Sequence, residues 1–479
     1  MATAFHVEHF GCRAARADGE AVSGRLRMAG LCERPPSAAD VVVVNTCSVT
    51  AEADRAARAF IRRTHRLNPG ARIMVTGCYA QRAPEELAGL AGVAAIVGNS
   101  HKALAPKIAL ELAAGRADSG PGTEPALVSV QSIVAGGAKV TAWVDDRFAH
   151  SFIEEAQLVP GAQTRPNLKI QEGCGNRCTF CVIPQTRGAS RSLPREAVLR
   201  QVEGFVAAGG NEMVLSGINL GRWGRDLAGE RGLTTPSLAG LVREMLERTT
   251  LPRLRLSSIE PMDWDGELIR LMREFGGTRL ARHAHLPLQS GSDAVLRRMH
   301  RRYRPWHYVE KVERLAGAAG PGLTLGADVM VGFPGETDAE FRETLDLVRA
   351  LPFGYLHLFP FSPRPGTRGW ELHAKAPVPA PVVEVRMAEL RALAAEKSET
   401  HRSQFIGREL EAITLRTPAA LAERGRTAAL TENFLPVELD ERLPANELVR
   451  VRVMGLQGSD ALACRQAVRP ASSRGATGD

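Results

Sequence analysis

The sequence predicts an α/β protein in three parts: an N-terminal α/β domain with a parallel sheet, a central partial (β/α)6 barrel and a small antiparallel β-barrel. In the first two parts, short apolar runs alternate with helical stretches at the spacing of parallel crossovers. In the last part, five short strand-like runs follow one another, which is typical of a small barrel that binds oligonucleotides. The expected bounds are 1–115, 165–395 and 403–469, with a linker at 116–164 and a disordered tail at 470–479.

The N-terminal part contains three predicted strands that each end at a cysteine. These strands are Ala4–Cys12, Val41–Cys47 and Ala71–Cys78. Parallel strands end at one edge of the sheet, which is where open α/β sheets bind their ligands. We therefore expect Cys12, Cys47 and Cys78 to lie close together in space. Any one of them considered alone would be interpreted as a buried structural thiol.

The central part contains six candidate barrel strands, each followed by a loop and a helical stretch. The candidates are Leu168–Gln171, Glu212–Gly217, Arg253–Ser258, His283–Leu288, Leu323–Gly332 and Tyr355–Pro360. Active sites of such barrels lie at the C-terminal ends of the strands. A cluster of cysteines follows the first strand directly, so the topology places it at the expected active mouth.

This cluster consists of Cys174, Cys178 and Cys181 in a C-x3-C-x2-C array. Three thiolates can hold three corners of a cubane iron–sulfur cluster and leave the fourth iron open to a small molecule. Structural zinc or an electron-carrying cluster would take four protein ligands. The next cysteine is Cys464 and no histidine lies between the array and Arg282. The array resembles that of the radical S-adenosylmethionine (SAM) enzymes.

That resemblance implies a 4Fe-4S cluster at the array, with SAM bound at the open iron and cleaved to a 5′-deoxyadenosyl radical. Phe180 is then expected to pack against the adenine of SAM, unless it only packs within its loop. Strand ends would supply further SAM contacts from Gly217, Ser257, Glu260 and Gln289, some of which are equally compatible with simple strand-to-helix turns.

Several basic residues near the predicted mouth are candidates for binding substrate. Arg187 and Arg191 follow the cysteine array and are predicted to bind a phosphate or carboxylate. His283 and His285 share one strand face, but no third metal ligand is identifiable, so they are interpreted as polar residues facing the barrel interior or the substrate. The basic run 300–305 is interpreted as an RNA contact or a solvated turn.

Composition indicates the class of partner and the compartment. The net charge of +8 and a pI near 9.3 favour a polyanionic partner, although an Arg-rich composition explains the charge equally well. There is no apolar run of the roughly 18–20 residues that span a membrane, and the N-terminus lacks the pattern of a signal peptide. We therefore expect a cytoplasmic protein in which cysteines stay reduced and available to metals.

Taken along its whole length, the chain resembles the methylthiotransferases, which combine these three parts. The matching motifs are Phe10-Gly-Cys12, Asn45-Thr-Cys47, Thr76-Gly-Cys78, Gly173–Arg187 and Gly366. The resemblance implies a second 4Fe-4S cluster, held by Cys12, Cys47 and Cys78, that delivers sulfur. It also implies that the C-terminal barrel is a TRAM domain that binds RNA.

Three branches of that family differ in substrate. They modify isopentenyladenosine in tRNA, threonylcarbamoyladenosine in tRNA, or an aspartate of a ribosomal protein. The segments Gln171–Cys174, Ser257–Pro261 and Leu356–Thr367 look most like the threonylcarbamoyladenosine branch. The implied reaction adds a methylthio group to C2 of N6-threonylcarbamoyladenosine beside the anticodon, with one SAM supplying the methyl group and a second the radical.

The resemblance to this branch implies a monomer that binds the anticodon stem-loop of tRNA and takes electrons from an external donor. The alternatives are the other two branches, or a non-catalytic iron–sulfur protein that binds RNA. A cluster used only for structure has no need for an iron without a protein ligand, which argues against the last alternative.

Four residues depart from the family pattern or lie outside it. Ala15 stands where the family usually has Asn, and Gln185 stands where an aromatic residue is common. Cys32 and Cys464 have no cysteine partner at metal-ligand spacing and are interpreted as buried structural thiols.

Overall fold

The computed structural model describes residues 3–115, 130–135, 138–152, 165–227 and 236–467, which form a mixed α/β architecture. It contains an N-terminal sheet domain, a central barrel domain and a closed C-terminal barrel, as the sequence predicts. Within these described ranges, every helix is too short or too polar to cross a membrane.

The N-terminal domain is built on a seven-stranded sheet with the order β2-β1-β3-β4-β5-β7-β6, parallel except for the β6–β7 pair. Its strands are β1 (Ala4–His9), β2 (Cys32–Glu33), β3 (Val41–Thr46), β4 (Arg72–Gly77), β5 (Val93–Gly98), β6 (Val130–Ala135) and β7 (Ala138–Trp143). Its helices are α1 (Arg13–Met28), α2 (Ala51–Leu67), α3 (Cys78–Arg82), α4 (Pro84–Ala88) and α5 (Ala105–Ala113). Every residue of β3 is buried, because helices cover both faces of a parallel sheet.

The segment 116–164 is not only the linker that the sequence predicts. Its described residues supply β6 and β7, and β7 pairs in parallel with β5 at Ala95–Thr141. The short runs in this segment lack the strong apolar character of β3, and the sequence suggests strands only at Thr141–Val144 and around Phe152. The first of these coincides with β7, whereas residues 151–152 are not in a strand. The predicted disordered tail at 470–479 lies outside the described residues.

The central domain forms an open barrel of six parallel strands, all at the positions predicted from sequence, with one short antiparallel strand at the edge. The strands are β8 (Asn167–Glu172), β9 (Arg191–Ser192), β10 (Glu212–Gly217), β11 (Arg253–Leu256), β12 (His283–His285), β13 (Thr324–Val331) and β14 (Phe353–Pro360). Backbone hydrogen bonds such as Ile259 N to His285 O (3.1 Å) connect its two sheets.

Helices pack around the outside of this barrel and bury one face each. They are α6 (Ile183–Arg187), α7 (Arg195–Ala207), α8 (Leu238–Arg248), α9 (Gly266–Phe275), α10 (Asp293–Arg298), α11 (Pro305–Ala319), α12 (Asp338–Ala350), α13 (Arg368–Lys375) and α14 (Ala380–Ser403). Local sequence sets several helix starts: Thr337 and Glu340 form a capping box at the start of α12, and Asp265 caps α9.

The C-terminal domain is a closed five-stranded barrel in the order β15-β16-β17-β19-β18. Its elements are β15 (Glu409–Thr414), α15 (Ala419–Ala422), β16 (Thr427–Thr431), β17 (Pro436–Leu439), β18 (Leu448–Gln457) and β19 (Ala461–Gln466). The predicted antiparallel pairing holds except between β17 and β19, which pair in parallel. This barrel contacts the central domain through the ion pair of Glu432 with Arg282 (2.5 Å).

Candidate active site

The three N-terminal cysteines lie at the C-terminal ends of adjacent strands. Cys12 follows β1 and caps α1, Cys47 follows β3, and Cys78 begins α3 directly after β4. Burial, followed by the neighbouring thiols of Cys78 and Cys12, raises the pKa of Cys47 to about 12. The three sulfur atoms therefore lie within electrostatic range of one another, as the sheet topology predicts.

Glycines next to two of these cysteines allow the backbones to approach closely. Gly77 has a φ of +102°, and a Cβ atom there would lie 2.2 Å from the carbonyl oxygen of Thr46. Gly11 has a φ of +140°, and a Cβ atom there would lie 2.8 Å from the Cβ of Cys47. A side chain at either position would therefore push the cysteine-bearing loops apart.

The second trio lies in the loop between β8 and α6. A backbone hydrogen bond from Cys181 N to Cys178 O (3.1 Å) folds this loop back on itself. Burial, with the Cys178 thiol adding to it, raises the pKa of Cys181 to about 12, and burial also raises the pKa of Cys174. The metal-free thiols of Cys174 and Cys181 are therefore protonated at neutral pH, and cluster binding must displace their protons.

The spacing of both trios is wider than the ligand spacing around a single zinc ion. Tetrahedral zinc with bonds of about 2.3 Å would bring its sulfur ligands to within about 3.8 Å of one another. Among the described residues, neither trio has all of its sulfur atoms within 4.8 Å of one another. Wider spacing fits a multinuclear cluster, which separates its protein ligands by the size of its own core.

Nitrogen donors surround the sulfur atoms of the N-terminal trio. Val49 N donates to Cys47 Sγ (3.5 Å), and Asn99 Nδ2 donates to Cys78 Sγ (3.3 Å). The guanidinium of Arg187 donates from Nε to Cys78 Sγ (3.2 Å). Hydrogen bonds and positive charge of this kind stabilise cluster thiolates, so this environment fits an iron–sulfur cluster.

The second trio has a similar set of donors. Asn219 Nδ2 donates to Cys174 Sγ (3.5 Å), and Arg301 Nη1 donates to Cys178 Sγ (3.4 Å). Asn176 N adds a backbone donor to Cys174 Sγ (3.4 Å). Arg301 also pairs with Glu260, so one buried arginine connects a cysteine to a predicted SAM contact.

A single cavity of about 500 Å³ connects the two trios. Cys12 lines it from the N-terminal domain, and Cys174, Cys178 and Cys181 line it from the barrel. The five residues predicted to contact SAM also line it, namely Phe180, Gly217, Ser257, Glu260 and Gln289. A larger cavity of about 1280 Å³ near His150 has no cysteine among its described lining residues.

Several buried polar atoms in the 500 Å³ cavity have no hydrogen-bond partner within the described part of the chain. They are Ser257 Oγ, Asn219 Oδ1 and Gln289 Oε1. Gln289 also has a φ of +62°, which is strained for a residue with a side chain. Buried polar groups ordinarily have partners, so these atoms fit a polar ligand such as SAM.

The two arginines predicted to bind substrate lie outside this cavity. Arg187 is fully buried, and its guanidinium contacts Asp18, Glu172 and Cys78, so it has no surface to offer a substrate. Arg191 bonds Ser151 and lines the larger cavity. Sequence distance from the array could not reveal that the N-terminal domain covers Arg187.

Two other expectations differ from the structure, one for the run 300–305 and one for Cys32. The run 300–305 does not face RNA throughout, because Arg301 and Tyr303 are buried and Tyr303 donates to the Leu288 carbonyl (2.8 Å). Cys464 is buried, but Cys32 is exposed. The carbonyl of Ala15 accepts a hydrogen bond from the Asn45 side chain, which fixes the start of α1 near Cys12.

Two features of the cavity have no counterpart in the sequence predictions. Arg13, the first residue of α1, lines it beside Tyr355. The second feature is that Asp328 and His357 lie close to His285, each on a different strand that lines the cavity. Neither feature forms a local motif, since the residues belong to distant segments that only the fold unites.

Comparison with known proteins identifies the N-terminal and central parts. Residues 168–348 match the radical SAM superfamily, and residues 4–98 match a family described as uncharacterized protein family UPF0004. The fold resembles that of the radical S-adenosylmethionine methyltransferase TsrM from Kitasatospora setae, with a TM-score of 0.51, 16% identity, and 75% of this chain and 72% of that chain covered.

Several relatives match almost the whole chain. The threonylcarbamoyladenosine tRNA methylthiotransferase MtaB of Bacillus subtilis is 35% identical over 91% of this chain and 90% of its own length. MtaB of Aquifex aeolicus is 34% identical, with 87% and 91% covered. The tRNA-2-methylthio-N(6)-dimethylallyladenosine synthase of Cereibacter sphaeroides is 31% identical, with 93% and 95% covered.

The barrel, the three-cysteine loop and these matches define an enzyme of the radical SAM class. Within that class, the chain belongs to the methylthiotransferase family. It is therefore an enzyme that transfers a methylthio group, and its family implies that it uses SAM and a 4Fe-4S cluster.

Proposed function

We propose that this enzyme adds a methylthio group to C2 of N6-threonylcarbamoyladenosine beside the anticodon of tRNA. One observation carries the proposal: a cavity of about 500 Å³ is lined by Cys12 of one cysteine trio and by all three members of the other. A group activated by one trio is then within reach of a sulfur donor held by the other.

In this proposal, Cys174, Cys178 and Cys181 hold one 4Fe-4S cluster, and Cys12, Cys47 and Cys78 hold a second. When bound with SAM, the clusters supply the radical that removes the C2 hydrogen and the sulfur that replaces it. The protein positions the reactants and excludes water. Burial alone would lower the pKa of Arg187. The neighbouring Cys78, Glu172 and Asp18 raise this pKa instead, so Arg187 stays charged beside the N-terminal trio.

SAM is held in this proposal by the strand ends opposite the cysteine loop. Ser257 and Gln289 offer the partnerless oxygen atoms described above, and Arg301 fixes the Glu260 carboxylate. Phe180 and Gly217 line the same space and leave room for an adenine ring. These residues bind and orient SAM without a proton transfer of their own.

The choice of threonylcarbamoyladenosine is supported by one cation that lines the cavity, Arg13. The threonyl part of this nucleoside carries a carboxylate, whereas a dimethylallyl group is apolar. Arg13 lines the cavity, and in the described structure no carboxylate lies within ion-pair distance of its guanidinium. A buried cation is stabilised by an anionic partner, so this wall favours the carboxylate-bearing nucleoside. Five of the relatives bear the corresponding name.

The test is a comparison of tRNA nucleosides, by mass spectrometry, from cells with and without the gene. We expect loss of the methylthio form of threonylcarbamoyladenosine and accumulation of the unmodified form. Loss of methylthio-dimethylallyladenosine instead would move the enzyme to the other tRNA branch. An unchanged tRNA profile with a mass change on a ribosomal protein would overturn the proposal.

A further inference from the structure

A second group of ligand-type side chains faces the active-site cavity, apart from the cysteines. His285, Asp328 and His357 come from the neighbouring parallel strands β12, β13 and β14. Asp328 Oδ1 lies 3.4 Å from His285 Nε2 and 3.2 Å from His357 Nδ1. The two imidazole rings are 5.3 Å apart between centres.

These separations match the edges of a coordination polyhedron around one ion. Bonds of about 2.1 Å to nitrogen and oxygen place neighbouring ligand atoms about 3.0 Å apart in an octahedron and about 3.4 Å apart in a tetrahedron. The three ligand atoms all lie within 4.8 Å of one another, and no other described group of at least three His, Cys, Asp or Glu residues does so.

The state of His285 supports a ligand role. Its Nε2 atom is buried and makes no hydrogen bond in the described structure, although the Asp328 carboxylate is 3.4 Å away. A metal ion between Nε2 and the carboxylate would give this buried nitrogen a partner and bind Asp328 at the same time. By contrast, His283 Nε2 is bonded to the Tyr355 hydroxyl (2.8 Å), which separates the two histidines of β12.

We propose that His285, Asp328 and His357 bind a divalent first-row transition-metal ion. Two imidazoles and one carboxylate suit ions such as Mn²⁺, Fe²⁺ or Zn²⁺ and leave coordination positions open. Mg²⁺ and Ca²⁺ prefer ligand sets made of oxygen alone. The open positions face the cavity, where an oxygen or nitrogen atom of the bound substrate completes the coordination and is held in place.

The exposure and packing of the three residues also fit a metal site. His357 is largely exposed and Asp328 is half-buried, so an ion can enter from the open side of the cavity. Tyr355 stacks against His285 with 5.9 Å between ring centres and limits the rotation of that imidazole. The group thus combines one fixed ligand with two that are reachable from solvent.

The test uses holoenzyme prepared anaerobically with both clusters loaded, titrated with Mn²⁺ and followed by the EPR signal of free Mn²⁺. We expect one bound Mn²⁺ per chain that excess Mg²⁺ does not displace. His357→Ala and Asp328→Asn should each weaken binding by more than the roughly 10–100-fold that loss of an outer-shell partner costs. The exposed His150, outside the cavity, provides the control His150→Ala, which should bind as the wild type does.

Anomalous diffraction at the manganese edge adds a second readout that does not depend on variant folding. A peak between the three side chains is expected. The proposal is overturned if the wild type binds no Mn²⁺ at millimolar concentration, if the ligand variants bind as well as His150→Ala, or if the peak lies elsewhere. None of these measurements depends on tRNA, so this site and the proposed function can fail separately.

Discussion

At the scale of single residues, the chemistry depends on a few buried polar groups that hold sulfur and charge in place. Arg187 and Arg301 each donate to a cysteine sulfur while pairing with a carboxylate. Arg13 differs from them because it lines the cavity without an acidic partner among the described residues. Its guanidinium carbon lies 5.4 Å from the ring centre of Phe434.

Arg13→Gln should weaken binding of an anticodon stem-loop that carries threonylcarbamoyladenosine. A hydrogen bond to a charged group contributes about 1.5–3 kcal/mol, which corresponds to roughly a 10- to 150-fold rise in Kd. Binding of the same stem-loop with plain adenosine should not change. Direct titration of both stem-loops measures the two values.

Arg16→Gln is the matched control, because Arg16 lies one turn further along α1, is exposed and pairs with Glu20. It should bind both stem-loops like the wild type. Equal weakening of both stem-loops by Arg13→Gln would show a general role in folding or RNA binding and would contradict carboxylate recognition.

At the scale of single residues, the sequence predicted those site residues that lie close to one another along the chain. The array of Cys174, Cys178 and Cys181 was recognisable because its members are close in the chain. His285 was noted, but its neighbours Asp328 and His357 were not, since each lies on a different strand and only the register of β13 with β14 pairs them. Arg187 was assigned to the substrate because burial by another domain leaves no mark in the sequence.

At the scale of elements, tight turns after the strands bring the cysteines together. The six barrel strands and the five tail strands were predictable from apolar runs bounded by turns, because each strand buries a continuous set of side chains. The strands within 116–164 were harder to predict, since β6 and β7 complete the edge of a sheet that is already formed. Their place depends on pairing rather than on local hydrophobicity.

Gly77→Ala should destabilise the turn between β4 and Cys78. A left-handed backbone with a side chain costs about 1–3 kcal/mol, and here the added Cβ atom would also overlap the Thr46 carbonyl oxygen at 2.2 Å. We expect a lower thermal midpoint and less iron bound at the N-terminal trio. Differential scanning fluorimetry and iron analysis measure both effects.

Gly30→Ala separates backbone strain from overlap, because Gly30 has a φ of +85° but nothing within 4 Å of its added Cβ atom. This control should lose some stability and keep the iron content of the wild type. If Gly77→Ala also kept full iron content, the turn would not be needed to place Cys78.

At the scale of the whole molecule, the N-terminal and central domains line one cavity, and the C-terminal barrel packs against lining residues of both. Phe434 of the C-terminal barrel packs against His283 with 4.3 Å between ring centres and also contacts Arg13 of the N-terminal domain. On the other side, Asp18 of α1 pairs with Lys102, Lys169 and Arg187, which joins the N-terminal domain to β8 and α6.

Asp18→Asn should therefore destabilise the assembly, because it leaves three buried cations without their shared carboxylate. Loss of one partner from a buried ion pair costs about 3–5 kcal/mol. Thermal unfolding measures the change. Asp346→Asn is the control, since Asp346 is an exposed partner of Arg349 and should cost at most about 1 kcal/mol.

The loss of stability caused by Asp18→Asn should depend on pH. Burial opposes ionisation of Asp18, but Lys102, Lys169 and Arg187 outweigh it and hold its pKa well below the usual range. Because the folded-state pKa is depressed, the stabilisation is fully present above the unfolded value of about 3.9 and decreases as the pH falls below it. The gap between wild type and Asp18→Asn should be constant around neutral pH and narrow as the pH falls below about 3.9. A gap that widens in acid would contradict this assignment.

The most direct test of the two-trio arrangement is one reaction in which two products are measured together. Reconstituted enzyme is given SAM, a reductant and tRNA, and 5′-deoxyadenosine and methylthio-adenosine are quantified by mass spectrometry. Cys47→Ala should still form 5′-deoxyadenosine without the methylthio product, whereas Cys178→Ala should form neither. Cys32→Ala, which changes an exposed cysteine outside both trios, should form both. Methylthio product from Cys47→Ala, or 5′-deoxyadenosine from Cys178→Ala, would contradict the division of roles between the two trios.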